Sequence, residues 1–345
     1  FIEGRIVFFE SAIGTMLQES VPGHLVPELL NAERPDAVED VHRANAEVAD
    51  VICTNSFGGT RVKLESVGMA DRAEELNTRA AELARASTRE GVLVAGDMGP
   101  TGKLVEPLGE LTFRDAYRTF SDQAAALAAG GVDLILIETM SDLKEARAAL
   151  LAAREATDLP VIITMTFDES FVTPTGTDPA TAANVLYSMG AFAVGTNCST
   201  GPEPMAEVVG RMAQVTPAPI LVQPNAGIPE LVDGRTVFRL GPDEFASHAE
   251  RFVTAGASMV GGCCGTRPEH IRALRERLSG LRPVAREVPR ALRLSSRLRT
   301  VEIGRSFPFC VVGERINPTN RDDLTSEVLE GRTEVVLNDA RTQMA

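Results

Sequence analysis

Short apolar runs rich in β-branched residues recur along this chain at intervals of roughly 30 to 45 residues, with helix-period segments between them. Eight such runs can be counted: Ile6 to Phe9, Val51 to Cys53, Val92 to Ala95, Leu134 to Ile137, Val161 to Met165, Phe192 to Gly195, Ile220 to Val222 and Ser258 to Val260. Near-continuous apolar strands are the mark of a parallel sheet buried on both faces by helices. Eight of them alternating with helices favour a closed (β/α)8 TIM barrel, an α/β fold. An open doubly wound sheet is the alternative, because strand order cannot be read from one sequence.

The intervening segments carry their own start and stop signals. In 35–49, Val38, Val41 and Val48 fall on one face and Pro35 suits the first helical turn. In 112–130 the buried stripe is Phe113, Tyr117, Phe120, Ala124 and Leu127. Thr112 with Asp115 resembles a capping box there, and Gly130-Gly131 is a C-terminal stop. Asp178-Pro179 opens another helix with a capping side chain and a proline at the first position. After a last helix at about 268–280 the chain turns arginine- and proline-rich, which reads as a linker. Phe309 to Val312 then looks like a new strand, Gly313 to Pro318 its exit loop, and a helix is expected from about Thr333. The expected domains are 1–280, the barrel; 281–307, the linker; and 308–345, the truncated start of a second α/β barrel, too short to enclose a core of its own. Ile2-Glu3-Gly4-Arg5 matches a common engineered protease site, so the chain is read as a fragment whose first residues carry little structural weight.

With 345 residues, a formal charge of −14 and a pI near 4.9, the protein is a poor partner for nucleic acid or an anionic membrane. No apolar run of membrane-spanning length and no secretory leader is apparent. Five cysteines are too sparse and too uneven for a disulfide framework, so a reducing, cytoplasmic setting is expected.

Three of those cysteines stand at strand exits. Cys198 follows the sixth run in Gly195-Thr196-Asn197-Cys198, and Cys263-Cys264 follow the eighth in Gly261-Gly262-Cys263-Cys264-Gly265-Thr266. In a barrel all strand C-terminal ends share one rim, where active sites are built. Three thiols meeting there suit a soft metal, zinc above all, with one coordination position left open for catalysis. Cys53 leaves the second strand, across the barrel, and is left outside this group. His24, His42, His248 and His270 fall in expected helices or loops away from the rim. The competing readings are buried or vicinally oxidised cysteines, and a phosphate-binding turn at Gly261-Gly262, which would suit an aldolase or isomerase. A thiol bound to such a metal loses its proton and stays nucleophilic, which favours alkyl transfer to a substrate sulfur.

Gly195 to Cys198 and Gly261 to Thr266, in that order, resemble the zinc signature of the homocysteine S-methyltransferase family. So do Ile13-Gly14-Thr15, Thr54 to Phe57, Gly99 to Gly102, Glu138-Thr139-Met140 and Gln223 to Gly227; the resemblance spans about residues 5–280. It implies a barrel that binds Zn2+ through Cys198, Cys263 and Cys264, with the homocysteine sulfur as fourth ligand. It implies further that Glu138 pairs with the homocysteine ammonium, and that the loop at Gly14 and Thr15 helps to hold the carboxylate. A carboxylate at a strand exit suits an amino-acid ligand in its own right, against the alternative of a rim salt bridge. Asn225 is either a displaceable fourth ligand or, preferred here, an ordinary turn asparagine.

Gly313-Glu314-Arg315-Ile316-Asn317-Pro318 resembles the opening of the pterin-binding barrel that follows this domain in the cobalamin-dependent members, with Glu314 and Asn317 as folate contacts. That adjacency implies a methyl group passed to homocysteine from methylcobalamin, originally from 5-methyltetrahydrofolate, to give methionine. The cobalamin-binding and folate-binding domains would belong to the same polypeptide. Another methyl donor, or a binding module with a structural zinc, is the alternative. Two departures stand out: the family usually has Asp-Gly where this chain has Glu10-Ser11, and a small residue near Asp97. An extra acidic group there would repel a substrate carboxylate.

Overall fold

The computed structural model describes residues 4–24, 26–232 and 235–344; Ile2 and Glu3 of the protease-site motif lie outside the described residues. Among them, eight parallel strands form one sheet that curls into a nearly closed barrel: β1 (Val7–Phe8), β2 (Val51–Cys53), β3 (Leu93–Met98), β4 (Leu134–Met140), β5 (Val161–Met165), β6 (Ala193–Asn197), β7 (Ile220–Gln223) and β8 (Met259–Val260). Each of the eight apolar runs supplies one of them. The first and last strands pair through Val7↔Met259 and Phe8↔Val260, and a single bridge, Phe9↔Val51, links β1 to β2. That bridge completes the ring, so the open-sheet alternative does not hold.

Two apolar layers follow from the alternation of strand side chains. Val7, Phe9, Val51, Ala95, Leu136, Ile162, Ala193, Leu221 and Met259 fill the barrel interior. The opposite faces, among them Ile52, Val94, Ile135, Ile163 and Val222, pack outward against Phe120, Leu150, Leu186 and Phe252 of the surrounding helices. The helix signals act where expected. Thr112 accepts a hydrogen bond from the Asp115 N–H (3.1 Å) to open Phe113–Ala129, and Asp178 accepts one from Thr181 (2.9 Å) to open Pro179–Ser188. The helix begun by Pro35 ends at Ala46, so Val48 is buried from the turn that follows it rather than from the helix face. A hairpin after β7, Glu230–Val232 with Arg235–Val237, carries no alternating apolar pattern and was not anticipated.

The chain divides into two compact units. The barrel unit takes in Arg293–Val301. Within it, Arg297 reaches Asp142 (3.1 Å), Thr177 Oγ1 donates to the Arg297 carbonyl (2.8 Å), Asn184 donates to Ser295 Oγ (2.9 Å), and Thr300 bonds Thr181 (3.0 Å). The second unit, Arg290–Leu292 with Glu302–Ala345, contains the helices Asp322–Leu329 and Glu334–Met344, the latter starting where Thr333 predicted it. Phe309 to Val312 form no strand, contrary to expectation. Phe309, Val311 and Val312 are exposed, and among the described residues of this unit no strand lies alongside to take their backbone hydrogen bonds.

Candidate metal centre and cavity

The three rim cysteines converge. Beyond β6 the backbone turns sharply: Cys198 (φ 61°) and Ser199 (φ 56°) both adopt the left-handed conformation, costly for residues with a Cβ. The turn is pinned by the Cys198 N–H on the Gln223 carbonyl (3.1 Å) and by Asn225 Nδ2 on the Ser199 carbonyl (3.4 Å). Beyond β8, Gly261 N–H donates to Val222 (3.0 Å), Gly262 N–H to Glu10 (3.1 Å) and Cys263 N–H to Pro224 (2.8 Å). These N–H groups are all engaged within the protein, which removes the phosphate-turn reading. A Cβ at Gly262 would collide with Thr266, whose hydroxyl closes the loop on the Cys263 carbonyl (2.7 Å), so only glycine fits there.

Among the described residues, Cys198, Cys263 and Cys264 are the one group of His, Cys, Asp and Glu able to hold a metal, their sulfurs lying within 4.8 Å of one another. Cys198 Sγ is 3.9 Å from Cys264 Sγ, and Cys263 Sγ 4.0 Å from Cys264 Sγ. A disulfide would require about 2.05 Å. Tetrahedral zinc with Zn–S bonds of about 2.3 Å sets sulfurs about 3.8 Å apart. The donor set therefore fits a tetrahedral thiolate-bound ion, and all three thiols are free, which disposes of the vicinally oxidised alternative. Thiol hydrogen bonds from Cys263 and then Cys264 push Cys198 down to about 3, while the same sharing with Cys198 pushes Cys263 well up and Cys264 up to about 12.

The cysteines line a cavity of about 630 Å³ at the rim, together with Glu10, Gly14, Thr15, Cys53, Asp97 and Glu138. Gly14 and Thr15 begin the helix Ile13–Ser20, whose N-terminus has no side-chain cap, and Thr15 Oγ1 accepts the Gly265 N–H (3.1 Å). Glu138 sits at a bulge in β4, where pairing with β5 slips between Ile137 and Met140 and Thr139 adopts φ 60°. Burial, and then the charge of Cys198, push Glu138 up to about 8. Asp97, 6% exposed, is raised well above the carboxylate range by burial and by the charges of Glu138 and Glu10. Cys53 lines the cavity but stays outside the sulfur group. Asn225 Oδ1 has no hydrogen-bond partner among the described residues. Glu314 and Asn317 lie in the second unit, where Asn317 Nδ2 donates to Glu314 Oε1 (2.5 Å).

Two residues gain an importance that sequence reading had not assigned. Asn197, fully buried, joins three strands: its Oδ1 accepts from Thr139 N (2.9 Å) and Thr164 Oγ1 (2.7 Å), and its Nδ2 donates to Thr139 Oγ1 (2.8 Å) and Glu138 Oε2 (3.3 Å). Its place inside the Gly-Thr-Asn-Cys motif was the available signal. Glu10, noted only as a departure, is 3% exposed at the exit of β1, while its neighbour Ser11 is turned onto Asn45 Oδ1 (2.6 Å).

The profile of the family described as homocysteine S-methyltransferase matches residues 7–278. The chain belongs to the homocysteine S-methyltransferase family. It is 32% identical over 338 residues to methionine synthase of Mycobacterium tuberculosis, covering 91% of this chain and 28% of the relative. It is 33% identical over 290 residues to methionine synthase of Mycobacterium leprae, covering 78% and 24%. The chain thus spans about a quarter of the length of these relatives. Among solved structures, the metallated form of the homocysteine methyltransferase MmuM from Escherichia coli superposes with a TM-score of 0.68 at 22% identity, over 80% of this chain and 97% of that one, a likeness of fold. No helix among the described residues is long and apolar enough to cross a membrane.

Proposed function

We propose that this chain is the zinc-dependent homocysteine S-methyltransferase module of a cobalamin-dependent methionine synthase, forming methionine by methylation of the homocysteine sulfur. The observation that carries the reading is the triangle of free thiols at tetrahedral spacing, facing a cavity of amino-acid-binding size. A Zn2+ ion held by Cys198, Cys263 and Cys264 would keep an incoming thiol in its nucleophilic thiolate form at neutral pH. The chain's own residues orient the acceptor. Glu138 takes the ammonium, and the uncapped helix end at Gly14 and Thr15 takes the carboxylate through free N–H groups and the positive end of the helix dipole. Asp97 is a further carboxyl in the same cavity. Asn225, with its oxygen unpartnered, can fill the open position until a thiol arrives.

The methyl group would come from methylcobalamin on another domain of the same polypeptide, and originally from 5-methyltetrahydrofolate. Similarity to methionine synthase over 91% of the chain supports this, since it reaches past residue 278, where the family match ends. On this reading the barrel is 1–280, residues 281–307 connect, and 308–345 open a pterin-binding barrel in which Glu314 and Asn317 contact folate. The setting is cytoplasmic, where free thiols persist. In-line attack needs the sulfur reachable from outside, so the barrel mouth doubles as a docking face.

Zinc content decides the centre: Cys198→Ser and Cys263→Ser should each lose about one equivalent of zinc relative to wild type. X-ray absorption at the zinc edge should show homocysteine replacing an oxygen or nitrogen ligand with sulfur. An unchanged ligand shell at saturating homocysteine would sink the proposal.

A further inference from the structure

Glu138 is presented by a backbone that does not keep its shape unaided. Thr139, the next residue, sits at φ 60°, a conformation that is unfavourable for a residue with a Cβ and persists only where its surroundings over-determine it. On one side Asn197 Oδ1 gives that support by accepting the Thr139 N–H (2.9 Å). On the other side the three residues that follow are each held from outside the strand. The Met140 carbonyl accepts the Thr166 N–H (2.9 Å), the Ser141 carbonyl accepts Thr175 Oγ1 (3.3 Å), and Asp142 Oδ1 accepts Arg297 Nη2 (3.1 Å). The first two holds come from the stretch just after β5, the neighbouring strand. The third comes from 155 residues further along the chain, beyond residue 278, where the family match ends.

The segment that brings Arg297 is fixed at both ends of the barrel. Arg286 donates to the Thr216 and Pro217 carbonyls (3.2 and 3.4 Å), which lead into β7 from the end opposite the rim. At the rim, Thr177 Oγ1 donates to the Arg297 carbonyl (2.8 Å), and Leu298 lies against Gly176. Arg297 therefore touches two rim loops, the one after β4 through its side chain and the one after β5 through its backbone. The Asp142 side chain is 2% exposed, and its Oδ2 has no hydrogen-bond partner among the described residues. A carboxylate buried this deeply depends on its counter-charge, and without Arg297 it is stabilised by moving toward water. The backbone it would draw with it is 140–142, which adjoins the strained Thr139.

We propose that Arg297, acting through Asp142, is a positioning residue of the acceptor site: it fixes the turn behind Glu138, so that the barrel reaches its full affinity for the methyl acceptor only with this later segment in place. The inference rests on the reading in which Glu138 takes the acceptor's ammonium. Arg297 is not among the residues that line the cavity, so its effect is confined to the contact that Glu138 makes. The thiol and the metal ligands, on β6 and β8, do not depend on it.

The test is calorimetric titration of the zinc-loaded full chain, well below its melting temperature, with L-homocysteine and with 4-mercaptobutyrate, which lacks only the amino group. Arg297→Ala should weaken homocysteine binding about fivefold while zinc content and 4-mercaptobutyrate affinity stay at wild-type values. The Arg297 side chain is 31% exposed, so this variant is expected to fold. Arg297→Lys, which keeps a cation beside Asp142, should recover most of the lost affinity. Asn184→Ala, which frees the same segment at Ser295 without touching Asp142, should bind homocysteine as wild type does. Unchanged homocysteine affinity in Arg297→Ala, equal weakening of both thiols, or an Asn184→Ala variant as weak as Arg297→Ala would overturn the role of Arg297 and leave the acceptor site standing. Equal affinity of the wild type for the two thiols would instead remove the ammonium contact itself, and this inference with it.

Discussion

His42 lies fully buried on the helix Pro35–Ala46, and neither of its ring nitrogens has a hydrogen-bond partner among the described residues. Burial alone pushes its pKa down to about 4 from 6.5. The sign follows directly. Between about pH 6.5 and 4 the unfolded chain takes up a proton that the folded chain refuses, so this residue lowers stability as the pH falls through that window, by up to about 3 kcal/mol. Glu10 and Asp97 act the other way: their raised values favour the fold at low pH and cost stability as the pH rises above the ordinary carboxylate range. In His42→Leu the histidine contribution disappears, and urea denaturation at pH 7 and pH 5 should show a smaller loss on acidification than in wild type. An equal loss would mean that the imidazole finds a donor or acceptor in solution. The sequence placed His42 away from the rim, which holds; that it would be sealed without partners depends on neighbours distant in the chain.

At the level of elements, the site is assembled by strand ends that do not resemble one another. β6 ends in a left-handed turn, β8 in a glycine loop whose Gly261, Gly262 and Cys263 N–H groups are engaged within the protein, and β4 in a bulge that breaks the register carrying Glu138. Bulges of this kind re-aim a side chain beside an active site. Asn197 ties the bulge to β5 and β6 through four hydrogen bonds to Thr139, Thr164 and Glu138. Asn197→Ala strands several buried groups at once and should lower the free energy of unfolding by about 2–4 kcal/mol in urea titrations. Because Cys198 is the next residue, zinc retention should fall as well. A variant that unfolds like wild type and keeps its zinc would show that the bulge holds itself. The strands themselves were legible, since apolar β-branched runs are what buried parallel strands require. The bulge was not, because Ile137-Glu138-Thr139-Met140 carries neither glycine nor proline to announce it.

For the whole molecule, the stretch read as a linker is instead partly structural. Asp142, whose side chain is 2% exposed, caps the helix Leu143–Ala156 just beyond the Glu138 bulge and is met by Arg297, 31% exposed. A protein ending after Gly280 would leave that buried carboxylate without its arginine, and should melt several degrees below one ending after Val301. Because the guanidinium is partly in water, Arg297→Ala should cost only about 1–2 kcal/mol. Coincident melting of the two truncated proteins would show that the segment rides on the barrel without supporting it. Nothing in 281–300 signals this docking. Its contacts are made by arginine, serine and threonine side chains with the barrel, and such polar contacts have no period to detect.

What the sequence by itself determined was the alternation of apolar strands with capped amphipathic helices, and the placing of Cys198, Cys263 and Cys264 just past strand ends. These are local properties, set by side-chain periodicity and by which residues tolerate a turn. Only the tertiary structure decided that sulfurs 66 residues apart come within 3.9 Å, that Glu10 and Asp97 lose their water in the same cavity, and that Arg297 finds Asp142. Those outcomes depend on ring closure, in which the stagger of all eight strands adds up, and no short window of residues contains that sum.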